Sequence, residues 1–321
     1  MAIRNPASKI KVGVSSCLLG EKVRWDGNHK QDSVVKNQLG RIFEWVPTCP
    51  EVEIGMGIPR ESVHLTGSSK SLRMVGTTTA TDWTQRMNRY SKKRSAELAK
   101  MNVCGYIFKS KSPSCGIARI KILINNGKTQ SKGRGLFAEL FIQQYPLVPV
   151  EDEDRLHDAR VRENFITRVF AYHRLTQLLA GRFSLKALVK FHTAHKFLLL
   201  AHSRKHYNAL GKRVAQAKQI AQAELKSCYA EEFMQALTFK STKKKNADVL
   251  YHMLGFFKTQ LSQDEKLNLI ETIEDYRNEL TPLIVPVTLI KRHVLKHKID
   301  YLSDQVYLNP HPKELMLRNR V

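Results

Sequence analysis

Hydrophobic periodicity changes character once along this chain, and that change limits the architecture more than any other feature. From Leu156 to about Arg277 apolar residues return every three or four positions, Gly and Pro are scarce, and nothing reads as a strand. Before Val150, short apolar runs alternate with helical periods. The pattern predicts an α/β domain over 1–150 with a largely parallel, Rossmann-like sheet, followed by an all-α domain over 151–321. The acidic run Glu151–Asp154 reads as the boundary, and 321 residues leave room for two cores. No internal repeat or low-complexity tail is visible.

Within the first half, KIKVGVSS reads as a strand, SVVKNQLGRIFEWV as a helix and WVPTCPEVEIG as a strand-like stretch. LTGSSKSLRMVGTTTA, rich in Gly, Ser and Thr, reads as a connection. Thr79 or Thr81 is placed to cap the helix that follows. VCGYIF is a strand running into the loop KSKSPSCG, GLFAELFIQQY a short helix and PLVPV a last strand. In the second half KSTKKKN (240–246) reads as a basic loop, and the two prolines of TPLIVPVT as a break.

Charge narrows the partner. Lys plus Arg number 53 against 29 Asp plus Glu, a formal net of +24, and both halves are basic. An excess of that size favours a polyanion, nucleic acid first, over a merely soluble basic enzyme. No run approaches the roughly 20 apolar residues of a membrane span, and the first residues carry no signal-peptide pattern. Five cysteines, odd and widely spaced, do not form a disulfide framework. A cytoplasmic protein with no membrane partner is the expectation; oligomeric state is not readable.

Three of those cysteines share a setting. Cys17 follows the first strand, Cys49 lies in TCPEVEIG and Cys115 in KSPSCG, each in a turn-rich loop after a strand. Strand carboxyl ends of a parallel sheet share one edge, so the three thiols can converge. Buried core cysteines, a structural zinc site and an iron–sulfur cluster all stay open on spacing alone. Zinc usually shows a C-x-x-C pair, absent here, and Cys104 and Cys228 fit the core reading better.

SSCLLG with VRWDG, TCPE before GMGIPR, and KSPSCG, in that order, resemble the thiouracil desulfidase family. FHTAHKFLLLAHSRKHYNALGK, HMLGFFK and LIVPVTLIKRHV resemble a helical domain of unknown function often fused to it. The resemblance implies a [4Fe-4S] cluster held by Cys17, Cys49 and Cys115, with one iron open to a thiocarbonyl sulfur that leaves as sulfide. It implies Glu51 as catalytic carboxylate and Ser112 as catalytic hydroxyl. The fused architecture is similar to that of bacterial enzymes acting on 4-thiouridine in tRNA, giving uridine without net electron transfer. Free thiouracil or thiouridine is the alternative substrate, and a non-catalytic iron–sulfur RNA-binding protein the alternative class. GMGIPR departs slightly from the family loop but keeps Arg60.

Further substrate or RNA candidates are Arg24, Asp26, Arg60, Lys109, Lys111 and the lysines Lys243, Lys244 and Lys245. Trp25 and Tyr90 are candidates to stack on a base. Arg86, Arg89, Lys93 and Lys100 form one possible phosphate-facing stripe. His192, His195, His202 and His206 would share a narrow arc on one continuous helix, suiting metal, RNA or a domain surface.

Overall fold

The computed structural model describes residues 9–68, 71–124 and 129–321. It divides into two compact units, Met1–His157 and Asp158–Val321. Among the described residues eight strands fall in the first: β1 Ile10–Ser15, β2 Phe43–Thr48, β3 Val63–Ser68, β4 Ser71–Gly76, β5 Tyr106–Phe108, β6 Ile120–Leu123, β7 Thr129–Gly133 and β8 Val150–Asp152. One sheet runs β2-β1-β5-β8, and every pairing in it is parallel. A second sheet runs β4-β3-β6-β7, with only the β3–β6 pairing parallel. Four helices accompany them: α1 Pro50–Glu53, α2 Thr84–Lys100, α3 Leu136–Gln144 and α4 Glu153–Leu156.

Central position explains β5. Tyr106, Ile107 and Phe108 are all fully buried, as a strand covered on both faces must be. Tyr106 and Phe108 stack at 4.0 Å, and Phe137 and Phe141 of α3 close over them. At the sheet edge, β2 tolerates Pro47, whose missing N–H would break a ladder further in.

Several expected elements differ. The helix expected over 33–46 is only a wide turn, Val34–Gln38, and a 3₁₀ turn, Leu39–Arg41, because Phe43 already begins β2. The β-formers of FEWV pair with β1, and that long-range pairing overrides local helical spacing. The strand-like reading of 45–55 fails after Thr48: Cys49 precedes α1, with Pro50 at the first helical position. The supposed connection 65–80 holds most of the β3–β4 hairpin; its Ser69 and Lys70 lie outside the described residues. Trp83 precedes α2, and Asp82 Oδ1, rather than Thr79 or Thr81, accepts from the Thr84 amide at 2.9 Å.

The Glu151–Asp154 run lies inside the first unit, which ends at His157. Glu151 and Asp152 close β8, and Glu153 is buried within the first unit.

The second unit is helical: α5 Ala159–Ala180, α6 Leu185–Ala194, α7 Lys196–His202, α8 Arg204–Ala215, α9 Gln222–Thr238, α10 Lys243–Leu254, α11 Gln263–Arg277, α12 Ile284–His297 and α13 Asp300–Ser303. Side-chain oxygens cap five of them: Asp158, Ser184, Ser203, Thr242 and Ser262, the last in a capping box with Glu265. Two of the helices revise the sequence reading. KSTKKKN is a cap and a helical first turn rather than a loop, and Pro286 sits in the first turn of α12, where a missing N–H is harmless. Among the described residues no helix is long and apolar enough to cross a membrane.

Candidate active site

All four strands of the parallel sheet end at one cavity of about 590 Å³, within the range of roughly 300–1,000 Å³ common for small-molecule sites. Ser15, Ser16 and Cys17 come from the end of β1, Thr48, Cys49, Pro50 and Glu51 from the end of β2. Lys109 through Cys115 follow β5, and Asp154 follows β8. Cys17, Cys49 and Cys115 therefore share one cavity, while Cys104 and Cys228 do not line it.

Burial pushes the Cys17 thiol up to about 12, and the neighbouring Cys49 adds to the shift while Lys109 opposes it. Cys49 and Cys115 are raised as well, again chiefly by burial. Glu51 and Cys49 add to the shift at Cys115, so the three sulfurs and one carboxylate sense one another. Among the described residues no three His, Cys, Asp or Glu side chains are grouped to hold a single metal ion.

Beside the thiols runs a chain of hydrogen bonds. Arg60, its side chain 4% exposed, gives Glu51 Oε2 two N–H groups, Nη2 at 2.6 Å and Nε at 3.2 Å. Its Nη1 donates to the carbonyls of Val23 and Gly57, and its backbone N–H to Trp25 O. Glu51 Oε1 accepts from Ser114 Oγ at 2.6 Å. That bond uses the one Ser114 proton, so Ser112 Oγ, 2.9 Å away, is the donor to Ser114. Ser112 Oγ in turn accepts from the amides of Cys115 and Ser114. Arg60, Glu51, Ser114 and Ser112 thus tie together the loops carrying all three cysteines.

The third loop is clamped from behind. Phe137 and Ala138, opening α3, donate to Ser114 O at 3.0 and 3.1 Å, and Gly135 N donates to Gly116 O. A Cβ at Gly135 would lie 2.4 Å from the Ser114 carbonyl carbon. We expect Gly135→Ala to displace this loop at a cost on the order of 1–3 kcal/mol. Thermal melts should show the loss, and iron retained per chain should fall with it.

The remaining candidates separate. Arg24 lines the cavity; Asp26 instead caps a turn, accepting from Asn28 N at 3.1 Å and pairing with Arg24 at 3.4 Å. Lys109 is held by Glu153 and Ser110, and Lys111, exposed, pairs with Asp154 at 3.3 Å. Both lysines line the cavity, each beside a carboxylate. Lys243 pairs with Glu279 at 2.7 Å and Lys245 donates to His202 O at 2.8 Å, leaving Lys244 exposed. Tyr90 donates to Glu53 Oε2 at 2.7 Å and packs on Phe137, away from the cavity lining.

The histidine arc does not exist, because the helix breaks at His195 and again at Ser203. His195 and His202 are buried and bond through Nδ1 to the carbonyls of Phe191 and Phe239. Burial pulls His195 down to about 3. His192 meets the Tyr229 hydroxyl and His206 the Ser203 hydroxyl. These four are packing residues.

Two residues escaped the sequence reading. Ser114 was passed over for Ser112, although both flank Pro113. Glu153, hidden in an acidic run, accepts from Ser110 N at 2.7 Å and carries Lys109.

Residues 12–153 match the family model for 2-thiouracil desulfurase, and residues 196–312 match that of a protein family of unknown function, DUF1722. The uncharacterized protein YbgA of Escherichia coli K12 is 28% identical over 161 residues, 50% of this chain and 95% of its own. A solved [4Fe-4S]-dependent thiouracil desulfidase, TudS, is 29% identical over 47% of this chain and 95% of its own, with a TM-score of 0.39. The first unit thus matches the 2-thiouracil desulfurase family over residues 12–153, and the second matches the DUF1722 family over residues 196–312.

Proposed function

We propose that this protein is an iron–sulfur-dependent desulfidase that converts 4-thiouridine in tRNA to uridine. One observation carries the reading: three thiols and the Arg60–Glu51–Ser114–Ser112 chain face one cavity in a domain of a desulfurase family.

The donor set fits a [4Fe-4S] cluster with one open iron. Three thiols, brought together from the ends of three strands, stand around a cavity larger than one ion needs. Cys17, Cys49 and Cys115 would hold the cluster. When bound, it supplies a soft Lewis acid for a thiocarbonyl sulfur. The chain's own groups do the rest. Glu51 Oε1 is placed to take a proton from a water attacking the ring carbon, directly or through the two serine hydroxyls. Arg60 keeps the other Glu51 oxygen occupied, so the carboxylate presents one oxygen to the cavity. Water supplies the carbonyl oxygen and sulfur leaves as sulfide, so no electron is gained or lost.

The net charge of +24 supports an RNA substrate, since phosphate contacts supply much of nucleic-acid affinity. The family description, 2-thiouracil desulfurase, favours a second reading in which the free base is the substrate. Charge reversal at Lys240 and Lys244 separates the two. Both are exposed and beside the α10 start, whereas Lys243 and Lys245 are engaged in the fold. Lys240→Glu with Lys244→Glu is expected to raise KM for tRNA roughly tenfold at moderate salt and leave free 4-thiouridine turnover unchanged. Equal KM for tRNA in the variant and the native protein would remove these lysines from the interface.

A further inference from the structure

The geometry points to Trp25 as the platform on which the substrate's pyrimidine ring stacks. The inference rests on the proposed function for the class of substrate, a uracil derivative, but its observations are separate from the chemistry of the thiols and Glu51.

Trp25 is the one aromatic side chain among the described residues lining the cavity; the other wall residues are polar, charged, or small and apolar. It is 48% exposed, so its ring stands on the open side rather than in the core. A large apolar ring left half in water forgoes part of the free energy that full burial would give. Its backbone is not loose. Trp25 sits second in a tight turn closed by Gly27 N to Arg24 O at 3.0 Å, and Gly27, the last residue of the turn, leaves it with a positive φ of +74° that glycine adopts without strain. Asp26 caps the same turn on the Asn28 amide, and Arg24 N reaches Asn28 O at 3.1 Å. The Trp25 carbonyl accepts from Arg60 N, and the Arg60 side chain holds Glu51. One residue therefore sets the position of both the indole and the carboxylate. An aromatic plane with two rotatable bonds, on a pinned turn at the mouth of a polar cavity, loses little entropy when a flat ring lies against it. Tyr90 does not compete, since its hydroxyl and ring are already engaged.

Stacking depends on a flat ring and not on its sulfur, so binding tests it without turnover. Cluster-loaded protein under anaerobic conditions is titrated calorimetrically with uridine and with 5,6-dihydrouridine, whose saturated ring is puckered. The native protein should prefer uridine, and Trp25→Ala should weaken uridine on the order of 5- to 150-fold. Dihydrouridine should bind the variant and the native protein alike, so the preference collapses. Trp25→Phe should keep most of it. Equal uridine affinity in Trp25→Ala and native protein overturns the inference, whether or not 4-thiouridine is desulfurated. If Trp25→Ala loses its cluster, the native protein and Trp25→Phe decide: no preference for uridine over dihydrouridine in either overturns it. Absence of desulfidation with the preference intact counts against the proposed reaction alone.

Discussion

Glu51→Gln is expected to lower kcat for desulfidation by about 10²–10⁴ while cluster content per folded chain stays near the native value. The amide is close in shape but accepts no proton, so a water beside the substrate loses its base. The same change reaches further, because Arg60 is 4% exposed and directs two N–H groups at Glu51 Oε2. If the glutamine oxygen keeps the Ser114 bond, its amide nitrogen faces the guanidinium and an N–H meets an N–H. Leaving a buried charge without its partner costs on the order of 3–5 kcal/mol. Adding Arg60→Met removes the orphaned charge and should return much of the melting temperature. Activity should stay lost. Kinetics on Glu51→Gln and melts on both variants check this pair of outcomes. Native kcat in Glu51→Gln would take Glu51 out of the chemistry.

Alanine at Cys17, Cys49 or Cys115 is expected to remove most bound iron and reduce desulfidation to background, each alone. A cluster held by three thiolates has no spare ligand: two attachments leave a second iron exposed to solvent and oxidant. Cys104→Ala and Cys228→Ala should keep native iron, because neither thiol lines the cavity. Iron and acid-labile sulfide per chain, measured on all five variants, give the comparison. Iron that follows Cys104, or that survives loss of Cys49, would break the assignment of the donor set.

What could be seen in the sequence follows from how far apart the determinants lie. The parallel sheet was legible because each strand that builds it is a short apolar run ending in turn residues, and a strand's carboxyl end has only one edge to face. That logic groups Cys17, Cys49 and Cys115 at one edge. Non-local pairing was not legible. FEWV carries helical spacing and strand-forming residues at once, and only the partner strand β1 decides between them. The second sheet was missed because LTGSSKSLRMVG alternates weakly and looks like linker, and nothing local announces that β3 will lie beside β6.

Within the site, the catalytic candidate Glu51 came from a motif, but what holds it did not. Arg60 was read as a substrate contact when its side chain is spent on Glu51 and two carbonyls. Glu153 belongs to a run that reads as a domain boundary, because sequence shows a row of charges and not the half-buried Lys109 that neutralises Glu153 or the Ser110 hydroxyl that donates to it. The histidines erred the other way. Their regular spacing holds only on an unbroken helix, and a serine cap at Ser203 together with the stop at His195 divides it.

The most direct test uses protein with its cluster reconstituted anaerobically and bulk bacterial tRNA containing 4-thiouridine. After incubation the tRNA is digested, and 4-thiouridine, uridine and released sulfide are quantified, with Cys17→Ala as control. The account predicts that 4-thiouridine falls, with uridine and sulfide rising in step, and only with native protein. Unchanged 4-thiouridine beside an intact cluster would contradict it.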